Sequence, residues 1–163
     1  MNRKVKNMLN KQVIKELETA YLYLEFSNFF NSRKMDGYSN LYRTMAKEEI
    51  DRAMVIYEFL LKAKQSIRLF VIHAPDQDYT SVIDVLEVTL RAKKDLNYRI
   101  RKAYDLAIKE VDFISKTFLK RYLDKYSDDG DKAKSMIEDY YDYKNNLQSL
   151  NQMYMERNVQ VAQ

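Results

Sequence analysis

Apolar positions recur along most of this chain at the alternating three- and four-residue spacing of a single helix face. The first seam is Leu9, Val13, Glu16, Ala20, Tyr23, Ser27 and Phe30. The period puts all seven on one stripe and predicts helix A over about residues 3–32. Residues 31–37 read as a loop with Gly37 as its punctuation. A second seam, Tyr42, Met45, Glu49, Arg52, Ile56 and Phe59, predicts helix B over about residues 38–64. A third, Val82, Leu86, Thr89, Lys93, Leu96, Ile100, Ala103 and Ala107, predicts helix C, with Thr80 or Ser81 as its cap. Helix D starts near Val111 and runs on the seam Ser115, Leu119, Tyr122, Tyr126, Asp129, Ala133, Met136 and Tyr140. Gly130 inside it weakens it by about 1 kcal/mol relative to Ala. Asn145 and Asn146 break the chain before a short fifth helix over about residues 147–159.

The connections fix the topology. The short loop after A makes A and B antiparallel. The long connection over residues 65–79, with its apolar run Leu69, Phe70, Val71 and Ile72, is expected to lie over the bundle as an extended crossover. It lets C run parallel to B before D returns. The fold expected is all-α: a four-helix bundle over about residues 3–144 with one long crossover and a short C-terminal helix, in a single domain spanning 1–163.

Composition narrows the function classes. Two Gly and one Pro in 163 residues suit long helices with few turns, since turns draw on those residues. With no Cys, disulfides and thiolate metal sites are excluded, and the chain fits a reducing compartment. No run of about 18 apolar residues and no signal-type apolar segment occurs, so a cytoplasmic protein away from membranes is expected. The net charge of +4 is unevenly spread. Arg3, Lys4, Lys6, Lys11 and Lys15 have no acid among them, residues 91–102 carry six bases against Asp95, and residues 128–142 carry six acids against Lys132 and Lys134. Such runs read as solvated helix faces, or as a surface for nucleic acid or another polyanion. No Lys/Arg stripe interleaved with stacking aromatics is evident. His73, the one His, sits in the crossover as a surface residue, and the 14 Tyr and 8 Met read mainly as core filling.

Each seam carries polar residues near its middle: Glu16 on A, Glu49 and Arg52 on B, Lys93 on C, Tyr126 and Asp129 on D. Glu49 and Arg52 are three apart and share a face. A buried charge is costly unless paired, so this coincidence needs an explanation. One reading is a metal site in the bundle core, where carboxylates and Glu-x-x-His pairs from facing helices hold two irons. The other is a salt-bridge cluster that holds the helices in register.

Several stretches resemble the ferritin family in its bacterial non-haem branch. LNKQ at 9–12 leading into ELETAYLYL at 16–24 is similar to the family's first helix, and YRTMAKEEIDRAM at 42–54 to its second. HAP at 73–75 resembles the motif before the third helix, and Phe118, Leu119 and Asp124 resemble the fourth. The resemblance covers about residues 8–142, most strongly in A and B. It implies a diiron ferroxidase centre with a Glu on A, a Glu-x-x-His on B, a Glu on C and a Gln or Glu on D. Glu16 and Glu49 keep their positions. Arg52 stands where the His belongs, Lys93 where the C Glu belongs, and Tyr126 where the D Gln belongs. Tyr23 matches the aromatic beside the centre. Acids matching a third iron position, hence possible residual metal ligands, are Glu48, Asp128 and Asp129, although Lys125 replaces another. The pattern of miniferritins that protect DNA, with His and acids across a subunit interface, is not matched.

Arg cannot be deprotonated into a ligand, and Lys93 brings a second fixed cation. With Glu16 and Glu49 these two sum to zero, so salt bridges and a Tyr126 hydroxyl bond are expected to hold the site. The resemblance then implies an iron-storage cage subunit with weak or absent ferroxidase activity. It further implies a homo-oligomeric shell of 24 subunits and a possible catalytic partner subunit. The alternative is a nucleic-acid- or polyanion-binding protein on the same scaffold, using Arg3, Lys4, Lys6, Lys11 and Lys15.

Overall fold

The seams close into a bundle in the computed structural model, which describes residues 1–161 and side chains as far as 158. Six helices lie among the described residues: α1 Arg3–Asn31, α2 Asp36–Lys62, α3 Val82–Lys109, α4 Phe113–Lys120, α5 Leu123–Tyr143 and α6 Leu147–Val161. The first three are helices A to C. Every residue of the A and C seams is buried, and so is every B seam residue except half-buried Phe59. This is the expected all-α four-helix bundle with one long crossover and a short C-terminal helix.

Two expectations need correction. Helix D is not continuous: α4 ends at Lys120 and α5 begins at Leu123. Between them the amides of Arg121 and Tyr122 donate to the carbonyls three residues back, a tightened turn. No Gly or Pro marks the place. On either side of it Phe118 stacks on Phe59, centroids 3.8 Å apart, and Tyr126 reaches Glu16. Gly37 is not the turn residue of the first loop. It lies in the first turn of α2, and Lys34, at φ 56°, makes the left-handed turn.

Lys34 belongs to a set of three. α1, α2 and α3 each end with a non-glycine residue in the left-handed region: Lys34, Lys64 (φ 55°) and Val111 (φ 54°). At each end the next amide donates to a carbonyl five residues back: Met35 to Phe30, Gln65 to Leu60, Asp112 to Ala107, at 2.8–3.0 Å. That is the Schellman closure, usually built on Gly. The chain accepts the steric cost of a Cβ three times, which explains how two glycines suffice.

Gly37 has another duty. Met35, the cap residue of α2, offers no side-chain bond to the helix amides. Asn151 of α6 supplies it: its Oδ1 accepts from Gly37 N at 2.8 Å and Tyr38 N at 3.3 Å. A Cβ at position 37 would run into the Asn151 carbonyl oxygen and lie 2.9 Å from Met155 N. Glycine is there for close approach. At the other connection, Asn10 pins the crossover by exchanging two bonds with the Arg68 backbone at 2.6 and 2.8 Å. Tyr79 donates to Glu25 at 2.7 Å. Leu69 to Ile72 face outward, 41–71% exposed, rather than packing down. Ser81 is the cap of α3, in a reciprocal box with Asp84. No helix of the described chain is long and apolar enough to cross a membrane.

The core has two halves. One is aromatic, around Tyr23, Phe26, Phe30, Tyr38 and Tyr42. The other is aliphatic, around Leu9, Val13, Ile56, Leu60, Leu96 and Ile100. The two glycines make opposite predictions. Gly37→Ala forces α6 off its seat and costs more than the roughly 1 kcal/mol expected for loss of a cap in Asn151→Ala. Gly130→Ala, with nothing within 4 Å of the added carbon, stabilises by up to about 1 kcal/mol. Urea unfolding of the three variants reads both signs.

Candidate functional site

Between the two apolar halves lies a layer of buried polar side chains, one or more from each long helix. Glu16 and Glu49 are fully buried, and Lys93, Arg52 and Asp129 are 4–7% exposed. The three- and four-residue spacing of the seams puts each on the inward stripe of its helix, and the packing of the helices brings them to one height.

Their bonding settles which charges cancel. Glu49 Oε2 accepts from Arg52 Nη1 at 3.0 Å, and Oε1 accepts from Lys93 Nζ. Asp129 Oδ2 pairs with Arg52 Nη2 and lies 3.5 Å from Lys93 Nζ. Two carboxylates and two cations thus form a closed square. Burial works against the Arg52 charge, but Glu49 and Asp129 outweigh it and raise its pKa. Arg52 also lies 5.1 Å from the Tyr126 ring centroid and Lys93 5.5 Å from that of Tyr23, within cation–π range.

Glu16 stands apart from the square. Its Oε1 accepts from Tyr126 Oη and, at 2.6 Å, from Gln12 Nε2, while Oε2 has no partner. Burial, and then the Glu49 charge, push its pKa from 4.5 up to about 8. At that value the neutral form of Glu16 is favoured near neutral pH. The expected pairing of Glu16 and Glu49 against Arg52 and Lys93 is therefore corrected: the second counter-anion is Asp129, and Glu16 takes hydroxyl and amide donors at Oε1 while Oε2 is left unpartnered. Burial also raises the Tyr126 and Tyr23 hydroxyls well above their ordinary range, so both remain protonated.

The other sequence candidates scatter. Asp129, read as a possible residual ligand with Glu48 and Asp128, is taken up by the square. Glu48 and Asp128 are exposed on a groove of about 710 Å³ between α2, α5 and α6, shared with Asp131 and Lys132. Among the described residues no group of three or more His, Cys, Asp or Glu is placed to hold a metal ion. On α1, Lys4 pairs with Glu110 at 2.6 Å, Lys15 with Glu18 at 3.6 Å and Asp95 at 3.9 Å, and Lys6 reaches Ser66 Oγ at 3.3 Å. Arg3 and Lys11 are exposed. Gln12 escaped the sequence reading, although its place one turn before Glu16 was the available signal.

The model of the ferritin-like domain family matches residues 6–142. The chain belongs to the ferritin family. A bacterial non-heme ferritin from Staphylococcus saprophyticus is 26% identical over 147 residues, covering 90% of this chain and 86% of the relative. One from Campylobacter jejuni is 26% identical over 123 residues, covering 76% and 74%. Among solved structures, an open pore ferritin from Archaeoglobus fulgidus superposes with a TM-score of 0.90 at 24% identity, covering 96% of both chains. Apo-ferritin from Pseudo-nitzschia multiseries gives 0.90 at 21%, covering 93% of this chain and 99% of that one. Such identities carry the fold. In this ferritin-family chain the five positions 16, 49, 52, 93 and 126 are joined through one network of bonds and ring contacts.

Removing one cation from the square leaves a buried carboxylate short of a partner. Arg52→Ala and Lys93→Ala should each destabilise the bundle by roughly 3–5 kcal/mol, the range for breaking a buried pair. An unchanged melting temperature would mean that the layer is hydrated. Glu16 gives a pH dependence of known sign. Its folded pKa lies above 4.5, so its contribution is fully present below pH 4.5 and is lost as pH rises through about 8. Glu16→Gln removes that proton. Relative to the parent it should gain stability across this window by up to about 1.4 kcal/mol per pH unit, read by guanidinium unfolding.

Proposed function

We propose that this chain is an iron-storage subunit of the ferritin type in which a self-neutralised ion-pair layer stands in place of the dinuclear centre. Iron is its cargo, and oxidation of iron(II) at that layer is slow or absent. The observation that carries the reading is the state of Glu49, which matches the family's Glu on the second helix and whose two oxygens are held by Arg52 and Lys93. The donors do not fit a pair of iron ions. A hard dication needs anionic oxygen ligands. Of the two family acids kept, Glu16 favours its protonated form near neutral pH and Glu49 is already neutralised by fixed cations. A metal ion entering here would meet Arg52 and Lys93 at close range in a low-dielectric layer.

Iron handling then falls to other parts of the molecule. The exposed acids of the groove, Glu48, Asp128 and Asp131, offer cation attraction at the surface, although Lys93, Lys132 and Arg157 also line it. Residues 1–163 act as a single ferritin-like domain in a cytoplasmic homo-oligomeric shell, with 24 subunits by family analogy. A partner subunit with the complete ligand set is the reading's source of fast oxidation.

Aerobic iron(II) titration of the purified protein tests this, with oxidation rate and mineral content both measured. Uptake without a fast oxidation phase is expected. Rapid oxidation that vanishes in Glu16→Ala or Glu49→Ala would overturn the reading. The converse test restores the ligands. Arg52→His places a neutral imidazole three residues after Glu49, and Lys93→Glu brings a carboxylate from α3. The square changes from neutral to minus three, the sum of Glu49, Asp129 and the carboxylate introduced at position 93. The double variant should bind more iron and oxidise it faster than the parent, with neither single variant gaining as much. Without metal it should be less stable, because its crowded carboxylates repel and take up protons. A double variant with no gain in iron binding would place the site elsewhere.

A further inference from the structure

Charge on this bundle is divided by face. α5 carries seven acids against Lys125, Lys132 and Lys134. α1 and α3 lie side by side, and their basic residues come together. The ion pairs fix their register: Lys15 reaches Asp95, and Lys4 reaches Glu110 at the end of α3. Lys11, between them on the same stripe of α1, therefore lies opposite the middle of α3. Lys15 and Arg91 line one cleft of about 420 Å³ beneath residues 73–77 of the crossover.

The exposed side of α3 reads Arg91, Lys94, Tyr98 and then Arg101 or Lys102, three and four residues beyond Tyr98. The sequence reading found no basic stripe interleaved with an aromatic, and the structure corrects this. Tyr98 is 55% exposed in the middle of the row, with Lys102 Nζ 4.6 Å from its ring centroid. Several acids on this face are engaged: Glu18 and Asp95 with Lys15, Asp95 also with Arg99, and Glu110 with Lys4. The exceptions are Glu87, one turn before Arg91, Asp105, one turn beyond Arg101, and Asp76 in the cleft. Among the described residues Lys11, Arg91, Lys94, Arg101 and Lys102 have no carboxylate within 4.0 Å.

We infer that the α1/α3 face binds the phosphate backbone of single-stranded nucleic acid, with Tyr98 as a stacking platform for a base. The row from Arg91 to Lys102 spans about 16 Å at 1.5 Å per residue, the reach of about three phosphates of an extended single strand at about 6 Å each. Cations that follow the backbone, with an aromatic ring among them, are what sequence-tolerant single-strand sites use. Repetition of the face in a homo-oligomer adds avidity. The inference is independent of what occupies the buried layer.

Fluorescence anisotropy of an oligothymidylate of about 20 nucleotides, titrated with the full-length protein, tests it. Binding should be present at low salt and fall with a log–log slope of about −2 to −3.5, from about 0.7 for each of three to five neutralised phosphates. Lys94→Glu/Lys102→Glu should lower affinity at least tenfold. Lys132→Glu/Lys134→Glu, the same charge change on α5, should leave it within twofold. Tyr98→Ala should lose about fivefold while Tyr98→Phe retains affinity. Should the α3 double variant fail to fold by circular dichroism, Lys11→Glu reads the same face from α1. No anisotropy change at low salt would overturn the inference. So would equal loss in the α5 control, indifference to Tyr98→Ala, or capture of phosphatidylserine vesicles without the oligonucleotide.

Discussion

Everything at the centre of this bundle depends on one constraint: charges taken out of water must cancel locally. Arg52 and Lys93 are 5% and 4% exposed, and neither stays buried and charged without carboxylates in contact. Glu49 and Asp129 answer that demand, one from α2 and one from α5, so the square ties α2, α3 and α5 to one height. A slip of any of these helices by one turn would separate the ions. Glu16 obeys the same constraint by the other route. With the cations already engaged, burial and the Glu49 charge raise its pKa toward the neutral form, and it takes donors from Tyr126 and Gln12.

The square also divides the apolar core. Aromatic packing on one side and aliphatic packing on the other each bury their own surface, and the polar layer sets their relative register. In a metal-binding bundle of this type the layer's fixed charges are anionic and the cations come from solution. Here the cations are covalently part of the chain. On the proposed reading, a layer whose fixed charges already cancel has no charge deficit with which to attract an ion. The fold is unaffected, because helix packing depends on the apolar seams and needs only a satisfied layer between them. The architecture therefore does not by itself decide the chemistry of the central layer.

At the periphery the chain reaches its turns by unusual means. Three helices end on Lys34, Lys64 and Val111 in the left-handed region, and one of the two glycines is kept for the approach of α6. Asn151 of α6 caps α2, so the C-terminal helix is part of how the second helix begins. Charge follows a separate logic. Bases gather on α1 and α3 and acids on α5, so a modest net charge conceals two faces of opposite sign.

Helical periodicity needs only local information, and the sequence determined what depends on it: four long seams, their order, the single crossover, and the placing of Glu16, Glu49, Arg52, Lys93, Tyr126 and Asp129 on buried stripes. The presence of two cations, Arg52 and Lys93, on those stripes was equally legible, because charge type is a property of the residue. The tertiary structure decided what depends on distances between helices. It gave Asp129 rather than Glu16 to the cations, and only burial beside Glu49 could raise the Glu16 pKa toward the neutral form. It broke the fourth helix at Arg121 and Tyr122, where no residue of turn type signals it. It moved the turn from Gly37 to Lys34, because the space at Gly37 is claimed by a helix more than 100 residues away along the chain. Pairing, protonation and close approach arise between segments, so they appear only once the segments are packed.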